Sequence, residues 1–312
     1  MNRETSMRSE LPSVQVLLAT YNGARFLDEQ MESILGQRGV TTSVLCRDDQ
    51  SSDQTLQRLA TIKERHGERV EFISDDIRMG AATPSFLTLL QQTHLEKFDY
   101  VAFSDQDDIW LPEKLAKAVR TLVIEDADGY ASNLVAFDEI TGRKWLLKKS
   151  YPQIALDYAF QSASAGCTYV LSRRAAKLVV EQITGRDMPS FKSKSHDWLI
   201  YAICRSHKLR WIIDSSAQIR YRQHGQNQYG AQRGFVGLVA KLKLMRSGWY
   251  RNEIIENAEF LSKNDFEAQR AISRLQTFTW TDRLWLAANS FKFRRRRLEA
   301  IGLSILFIIG AI

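Results

Sequence analysis

The sequence predicts an α/β protein built on a mainly parallel sheet, because two kinds of segment alternate over residues 13 to 130. Short apolar runs typical of buried strands are each followed by a longer segment whose apolar residues recur at helical spacing. Regular alternation of this kind implies right-handed crossovers between parallel strands. The 312 residues, 44% of them hydrophobic and 25% charged, are enough for one large domain and an appendage.

The first two strand and helix pairs follow from apolar spacing and from capping residues. Residues 14–18, apolar except for Gln15, predict a strand, and apolar side chains over 26–35 then recur three and four positions apart. A second strand over 44–46 precedes a helix that Ser52 or Asp53 can cap, because both side chains accept hydrogen bonds from backbone amides.

The next two pairs are marked by proline. The strand over 70–73 leads to a helix opened by Thr83 and Pro84, since proline suits the first helical position. The strand over 100–103 leads to a helix after Pro112. These elements complete the regular part of the chain.

Beyond residue 130 the pattern is less regular. Strands are predicted over 168–171, 209–213 and 218–221, and helices over 173–183 and 197–205. From about Phe235 the pattern is helical and basic. We therefore predict four parts, which are a tail over 1–12, a regular part over 13–130, an irregular part over 131–234 and a helical C-terminal region over 235–312.

An acidic run directly after the fourth predicted strand is the most informative motif. Asp105, Asp107 and Asp108 place three carboxylates within four residues, where a buried strand ends. Carboxylates two apart in a loop can hold a divalent cation, and oxygen ligands suit Mg²⁺ or Mn²⁺. The alternative is a solvated acidic turn that caps the helix after Pro112.

Polar clusters follow three of the strands, at 20–23, 48–53 and 105–108. The carboxyl ends of parallel strands share one edge of the sheet, where α/β proteins bind ligands. At this edge Tyr21 can stack on a base, and Asp49 can accept the imide N–H of uracil or thymine. Taken singly, the same residues also fit ordinary turn chemistry and helix capping.

These motifs resemble those of the family 2 glycosyltransferases, which have the GT-A fold and use nucleotide sugars. The match covers roughly residues 13 to 230 in order and spacing, over 19–23, 48–53, 105–108 and the triplet His196-Asp197-Trp198. Gln50 departs from the glycine usual in the family. The resemblance implies a GT-A domain over 13–234, with a Rossmann-like nucleotide-sugar part over 13–130 and an acceptor part over 131–234.

The resemblance also implies roles for single residues. Asp197 is expected to be the catalytic base of an inverting displacement, although a helix cap is the alternative. The metal ligands are expected to be Asp105, Asp107 and His224, and the substrate-binding residues Thr20, Tyr21, Asn22, Asp49, Asp53, Asp105, Gly166, Trp198 and Arg222.

A block over 221–227, together with the His-Asp-Trp triplet, resembles the rhamnosyltransferase-like branch, which uses dTDP-L-rhamnose in bacterial surface polysaccharides. Arg222 is a candidate phosphate clamp, and His224 either a third metal ligand or an exposed loop histidine. Gly166 either lets backbone approach the sugar or acceptor, or is a turn before a strand.

Several alternatives remain open. Polymerising members carry Gln-x-x-Arg-Trp, but here His207 stands in place of the glutamine, which favours a non-processive transferase. The donor can instead be another UDP- or dTDP-sugar. A nucleotidyltransferase would need a glycine-rich basic loop after the first strand, and a nucleic-acid binder would need basic and aromatic residues interleaved across the domain. We expect no nucleic-acid partner.

The charge distribution indicates an anionic partner for the C-terminal region. The net charge is +7, and Lys292 and the arginines 294–297 lie close to the end of the chain. Basic and aromatic residues over 283–297 suit a membrane surface, and the apolar run over 301–312, about 18 Å as a helix, is too short to span. The alternative is a helix packed on the domain or an oligomer contact.

The expected location follows from the cysteines and the ends of the chain. Three widely spaced cysteines argue against a disulfide framework and fit a reducing compartment, and the polar N-terminus lacks a secretory signal. We expect a cytoplasmic enzyme, peripheral at the inner face of the cell membrane, acting on a lipid-linked or polysaccharide acceptor. A truncation near Asn289 is expected to stay soluble and keep the donor site.

Overall fold

The computed structural model describes residues 10–73, 75–223 and 247–312. The strands in these ranges are β1 (Ser13–Thr20), β2 (Thr41–Asp48), β3 (Val70–Ile73), β4 (Tyr100–Ser104), β5 (Ile109–Trp110), β6 (Gly129–Asp138), β7 (Lys144–Leu147), β8 (Val170–Ser172) and β9 (Trp211–Gln223). The helices are α1 (Ala24–Leu35), α2 (Thr55–His66), α3 (Ala82–Gln92), α4 (Lys114–Ile124), α5 (Asp157–Phe160), α6 (Arg173–Ile183), α7 (His196–Ser206), α8 (Trp249–Ala258), α9 (Phe266–Thr277), α10 (Trp280–Asn289) and α11 (Arg297–Ile309).

The described strands form one mixed sheet in the order β3-β2-β1-β4-β8-β6-β9-β5, with β7 paired to β6. β1 lies parallel to both β2 and β4, and β2 lies parallel to β3. The prediction of an α/β fold with a mainly parallel sheet is confirmed. The carboxyl ends of β1, β2 and β4 therefore meet at one edge.

The irregular half differs from the sequence prediction in detail. The two strands expected over 209–213 and 218–221 are one strand, β9, which shifts register against β6 near Asn133. β6 and β7 were not predicted. The polar Asn133 obscures the apolar pattern of β6, although its buried side chain donates to the Ser215 carbonyl (2.8 Å) and accepts from the backbone of Lys149 and Ser150.

The sheet separates two hydrophobic clusters. Val16 and Leu18 of β1 pack on the side covered by α1, α2 and α4, whereas Leu17 faces the side covered by α3, α6 and α7. Both faces of β1 are thus buried, which explains the adjacent apolar residues Val16, Leu17 and Leu18 in its sequence.

The C-terminal helices belong to the cluster on the side of the sheet covered by α3, α6 and α7. Phe293 and Phe307 are buried in it, and the Phe293 ring stacks on Phe160 with centroids 3.9 Å apart. Arg295 points inward, because its guanidinium donates to the carbonyls of Ser162 (2.7 Å) and Ala163 (2.9 Å). The basic run is therefore divided between the interior and the surface.

The C-terminal helices pack into the core of the preceding domain, since Phe293 and Phe307 lie in the cluster that holds Phe160. Removing everything after Asn289 would uncover that cluster, so the solubility of such a truncation stays a prediction. Within the described ranges, no helix has the length and apolar content needed to cross a bilayer.

The packing of Phe293 can be tested by paired substitutions. Phe293→Ala should lower the free energy of unfolding by about 3–5 kcal/mol, the usual cost of a cavity left by a buried aromatic ring. Phe291→Ala removes a side chain in a residue that is 55% exposed and should change it by less than about 0.5 kcal/mol. Chemical denaturation measures both, and equal effects would contradict the observed packing.

Candidate active site

Three loops meet where β1, β2 and β4 end. The first covers residues 20–23, the second 48–53, and the third, the acidic loop, 105–108. Gln106 of the acidic loop is hydrogen-bonded to the first loop. Its Oε1 accepts from the backbone N–H of Tyr21 (2.8 Å), and its Nε2 donates to the Tyr21 carbonyl (3.0 Å). A Cβ added to Gly23 would lie 2.2 Å from that Oε1. Gly23 therefore leaves room for the amide that fixes the acidic loop on the first loop.

The first and second loops are also joined. Asn22 Oδ1 accepts from the backbone N–H of Ser52 (2.8 Å), and Thr20 Oγ1 donates to Asp48 Oδ1 (2.8 Å). Asp53 accepts from the N–H of Ala24 (3.2 Å), at the start of α1. These contacts give Thr20, Asn22 and Asp53 a part in shaping the edge, while their contact with a substrate stays a prediction.

Gln50 adopts a conformation that explains the glycine usual at this place. Its φ is +61°, in the left-handed region that glycine enters without steric penalty. Its side chain donates to the Asp76 carbonyl (2.7 Å), a contact that glycine would lack. The loop thus keeps its shape despite the departure from the family pattern.

Asp49 lies buried at the end of β2 and is held by its surroundings. Its carboxylate accepts from Arg47 (3.0 Å) and from the backbone N–H groups of Met79 (2.6 Å) and Gly80 (2.7 Å). Arg47 is fully buried and also makes two hydrogen bonds to Asp75. Arg47 was not predicted from the sequence. A charged residue within an otherwise apolar strand was the feature that could have indicated it.

Tyr21 lies at the exposed mouth of this edge. The Arg78 guanidinium lies 5.3 Å from the centroid of the ring and donates to its hydroxyl (2.9 Å). An exposed ring with a cation beside it offers a stacking surface for a planar base.

The acidic loop holds the strongest electrostatic perturbation of the site. Burial, followed by the charges of Asp107 and Asp197, raises the pKa of Asp105 to about 7. Ligand atoms of Asp105, Asp108 and Cys167 lie within 4.8 Å of one another. Carboxylates this close in a low-dielectric setting repel each other, and a divalent cation would relieve that repulsion.

The groups present fit a hard cation. Asp105, Asp107 and Asp108 offer carboxylate oxygens, and Asp108 Oδ2 is buried with no hydrogen-bond partner in the described part of the chain. Burial, followed by the charges of Asp108 and Asp105, raises the pKa of the Cys167 thiol, which favours its protonated form beside these carboxylates. The remaining predicted ligand, His224, lies outside the described residues.

A buried cation, Lys114, lies behind the acidic loop. Its ammonium is 3.3 Å from the centroid of the Trp110 ring, and burial lowers its pKa to about 7. Asp108 is among the charges that oppose this shift. The loop therefore has a nearby amine whose charged form burial disfavours and the charge of Asp108 favours.

Arg222 holds the acidic loop from β9. Its side chain is 7% exposed, its Nε donates to the Asp107 carbonyl (2.9 Å), and its backbone N–H donates to Asp108 Oδ1 (3.2 Å). Glu29 and Glu139 pair with the guanidinium. These contacts describe a residue that positions the loop; the expected clamp on phosphate stays a prediction.

Asp197 lies in the first turn of α7, close enough to Asp105 to raise the pKa of that carboxyl. Its Oδ1 accepts from the Trp198 backbone N–H (2.8 Å) and from the Ser195 hydroxyl. The carboxylate therefore accepts from one backbone amide of the first helical turn and also lies near the acidic loop; its role as catalytic base stays a prediction.

Trp198 packs into the core next to Asp197. Its ring is buried, its Nε1 donates to the Tyr158 carbonyl (2.8 Å), and it stacks on Tyr250 with centroids 5.6 Å apart. These contacts hold the start of α7 in the core, and a contact of Trp198 with the substrate stays a prediction.

Gly166 leaves room for the ring of His196 to pack against the backbone. A Cβ at Gly166 would lie 2.3 Å from His196 Nε2, and that ring is packed against Phe86 with centroids 4.3 Å apart. Burial lowers the pKa of His196, so the ring is neutral. The close approach that glycine permits here is thus to a side chain of α7, and an approach to the sugar stays a prediction.

Comparison with known proteins decides the family. The model of glycosyl transferase family 2 matches residues 15–176. The chain belongs to glycosyl transferase family 2. The resemblance of its motifs to this family is confirmed, and so is the prediction that the chain is a glycosyltransferase.

Individual relatives agree with this assignment. The chain is 32% identical over 293 residues to the dTDP-rhamnosyl transferase RfbG of Shigella flexneri, covering 94% of this chain and 99% of that protein. It is 24% identical over 162 residues to the UDP-Glc:alpha-D-GlcNAc-diphosphoundecaprenol beta-1,3-glucosyltransferase WfgD of Escherichia coli, covering 51% and 60%. S. aureus TarS in complex with UDP-GlcNAc superposes with a TM-score of 0.60 at 16% identity, covering 96% and 81%, which shows the shared fold.

The close packing of the His196 ring against Gly166 can be tested by replacing two glycines. Gly166→Ala should lower the free energy of unfolding by about 1–3 kcal/mol, because the new methyl overlaps a ring that is packed and cannot move. Gly302→Ala, inside α11 with no heavy atom within 4 Å of the new Cβ, should raise it by roughly 0.5–1 kcal/mol. Chemical denaturation of both variants decides; a stable Gly166→Ala would contradict the packing.

Proposed function

We propose that this glycosyltransferase moves L-rhamnose from dTDP-rhamnose to a hydroxyl of a lipid-linked or polysaccharide acceptor, non-processively and with inversion. The similarity to a dTDP-rhamnosyl transferase over nearly the whole chain supports the donor. The placement of Asp197 beside Asp105, at the edge where the three loops meet, carries the mechanism. The similarity to a transferase named for a diphosphoundecaprenol acceptor supports the lipid-linked class.

The nucleotide would be held at the ends of β1 and β2. An ionised carboxylate has about four acceptor positions, and Asp49 uses three of them on protein donors. A further position is therefore available for the imide N–H of thymine. Tyr21 offers the ring on which the base stacks.

The diphosphate would lie over the acidic loop, with Mg²⁺ or Mn²⁺ held by Asp105 and Asp107. A cation bound there would stabilise the charge of the departing diphosphate, so this reaction needs no acid at the leaving group. Arg222 keeps the Asp107 backbone in place, and Gln106 keeps the loop on Tyr21.

Asp197 would take the proton of the acceptor hydroxyl. Both hydrogen bonds that its carboxylate accepts from described residues are made to Oδ1, which leaves Oδ2 for the acceptor. The N-terminus of α7 favours the charged carboxylate, because the helix dipole is positive there. One oriented base is enough for an inverting displacement.

The outer face of α11 supports contact with a membrane. Leu298, Ile301, Ile305, Ile308 and Ile309 are 40–78% exposed at helical spacing, while Ala300, Leu303 and Phe307 on the other face are buried. Exposed Arg296 and Arg297 lie at the start of the same helix. An apolar face with cations at one end suits the headgroup layer of an anionic bilayer.

The donor and the base can be tested together. Wild-type enzyme should release dTDP from dTDP-rhamnose in the presence of Mn²⁺ or Mg²⁺, and Asp197→Asn should lower transfer to acceptor by about 10²–10⁴-fold with donor binding preserved. Asp187→Asn, which changes an exposed carboxylate ten residues earlier, should behave as wild type. Turnover of UDP-glucose and not of dTDP-rhamnose would reject the donor, and an active Asp197→Asn would reject the base.

The membrane face can be tested with liposomes that contain phosphatidylglycerol. Full-length enzyme should pellet with them at low salt, and the double variant Leu298→Glu/Ile305→Glu should not, because both residues are exposed and the charges oppose insertion. Ile140→Glu changes a residue that is 95% exposed elsewhere and should bind as wild type. Unchanged pelleting of the double variant would contradict a membrane partner. So would a wild-type enzyme that is a dimer without lipid and becomes a monomer in the double variant.

A further inference from the structure

The segment that leads into α7 is held by a carboxylate from the C-terminal helices. Glu253 of α8 is 2% exposed. Its Oε1 accepts from the Ser193 hydroxyl (2.8 Å) and from the backbone N–H groups of Lys194 (3.0 Å) and Ser195 (3.0 Å), and its Oε2 also accepts from Lys194 (3.0 Å). Hydrogen bonds to an ionised acceptor are about twice as strong as neutral ones.

A two-step contact connects this carboxylate to Asp197. Glu253 accepts from the Ser195 backbone, and the Ser195 hydroxyl donates to Asp197 Oδ1. Asp197 is also near enough to Glu253 to be one of the charges that, after burial, raise its pKa. A shift of residues 193–195 would therefore move the oxygen that Ser195 orients.

The same helix contacts α7 on the other side of Asp197. Tyr250, one turn before Glu253, stacks on Trp198 and donates to the Phe160 carbonyl (2.7 Å). Residues i and i+3 of a helix lie on one face, so α8 presents both side chains to the start of α7. Asp197 thus lies between two points of attachment to α8.

We propose that Glu253 is a positioning residue for the catalytic base, and that α8 sets the place of Asp197 relative to the acidic loop. The proposal rests on the assignment of Asp197 as base made above. It gives residues beyond the matched family region 15–176 a part in the reaction. The part is geometric, because Glu253 acts through Ser195 and not on the substrate.

Substitutions at Glu253 test the proposal in the full-length enzyme. Glu253→Ala should lower kcat by about 10- to 100-fold, the usual effect of a misplaced catalytic group, and leave the KM for dTDP-rhamnose little changed. Glu253→Gln should restore most of kcat, since an amide oxygen in the place of Oε1 can still accept from the Ser193 hydroxyl and the Ser195 N–H, the contact that leads to Asp197. Glu253→Asp keeps the charge, but its shorter side chain moves the carboxylate away from the donors at residues 193–195. Its kcat should therefore be as low as that of Glu253→Ala.

Asp282 provides the matched control. It is also a buried carboxylate of the C-terminal helices, and it accepts from the Thr279 backbone (3.0 Å) and the Thr277 hydroxyl (2.7 Å). Asp282→Ala should lower Tm as Glu253→Ala does and leave kcat unchanged. An equal loss of kcat in both variants would show that destabilisation is the cause and overturn the proposal.

A double-mutant cycle separates this proposal from the assignment of the base. In an Asp197→Asn background, Glu253→Ala should cost no more than about a further twofold, because the group it positions is already inactive. Losses that multiply, or a Glu253→Asp enzyme with full kcat, would overturn the positioning role while leaving the base in place. Full activity of Asp197→Asn alone would instead reject the base. If Glu253→Ala does not fold, the comparison of Glu253→Asp with Glu253→Gln decides.

Discussion

The crowding of carboxylates at one edge of the sheet is the constraint around which the site is built. Asp105, Asp107 and Asp108 lie together after β4, and Asp197 approaches from α7. Burial disfavours the charged form of Asp105, and the charges of Asp107 and Asp197 add to this, so the pKa of Asp105 is raised to about 7. Such an arrangement destabilises the fold unless a cation or a charged ligand shares the site, which is why perturbed carboxylates mark functional edges.

The surroundings hold this edge through side chains that never need to touch a substrate. Gln106 fastens the acidic loop to Tyr21, and Arg222 fastens it to β9. Asp53 and Asn22 fasten the first two loops to each other and to the helix starts. The loops are thus fixed in pairs, so the polar residues around the edge divide into those that shape it and the few placed to meet a nucleotide sugar.

The C-terminal helices serve two surfaces at once. Their inner residues, such as Phe293 and Arg295, complete the core beside Phe160, and Glu253 reaches the start of α7. Their outer face on α11 is apolar and flanked by arginines. Under the proposals made above, the same region would place the enzyme against a bilayer and hold the base that acts on a lipid-linked acceptor.

The sequence by itself determined the parallel half of the fold and the meeting of the three loops. The spacing of apolar residues identifies each strand and helix from its own segment of sequence. Parallel strands bring their carboxyl ends to one edge of the sheet, whatever the topology of the remaining chain. The proximity of Tyr21, Asp49 and the acidic loop was therefore predictable, and the structure shows it. The resemblance to family 2 located Asp197, whose spacing from the acidic loop has no local signature.

Only the tertiary structure decided which partners the other residues meet. From the sequence, Trp198 was expected at the substrate and the aromatic residues over 283–297 at a membrane surface, whereas the structure buries Trp198 and Phe293 in the core. Glu253 meets Ser193 from 60 positions away, and Arg295 meets Ser162 from 133 positions away. Polar residues such as Asn133 hide a strand because their hydrogen-bond partners come from distant segments. Packing and long-range hydrogen bonds depend on the whole fold, so these contacts cannot be inferred from any one stretch of chain.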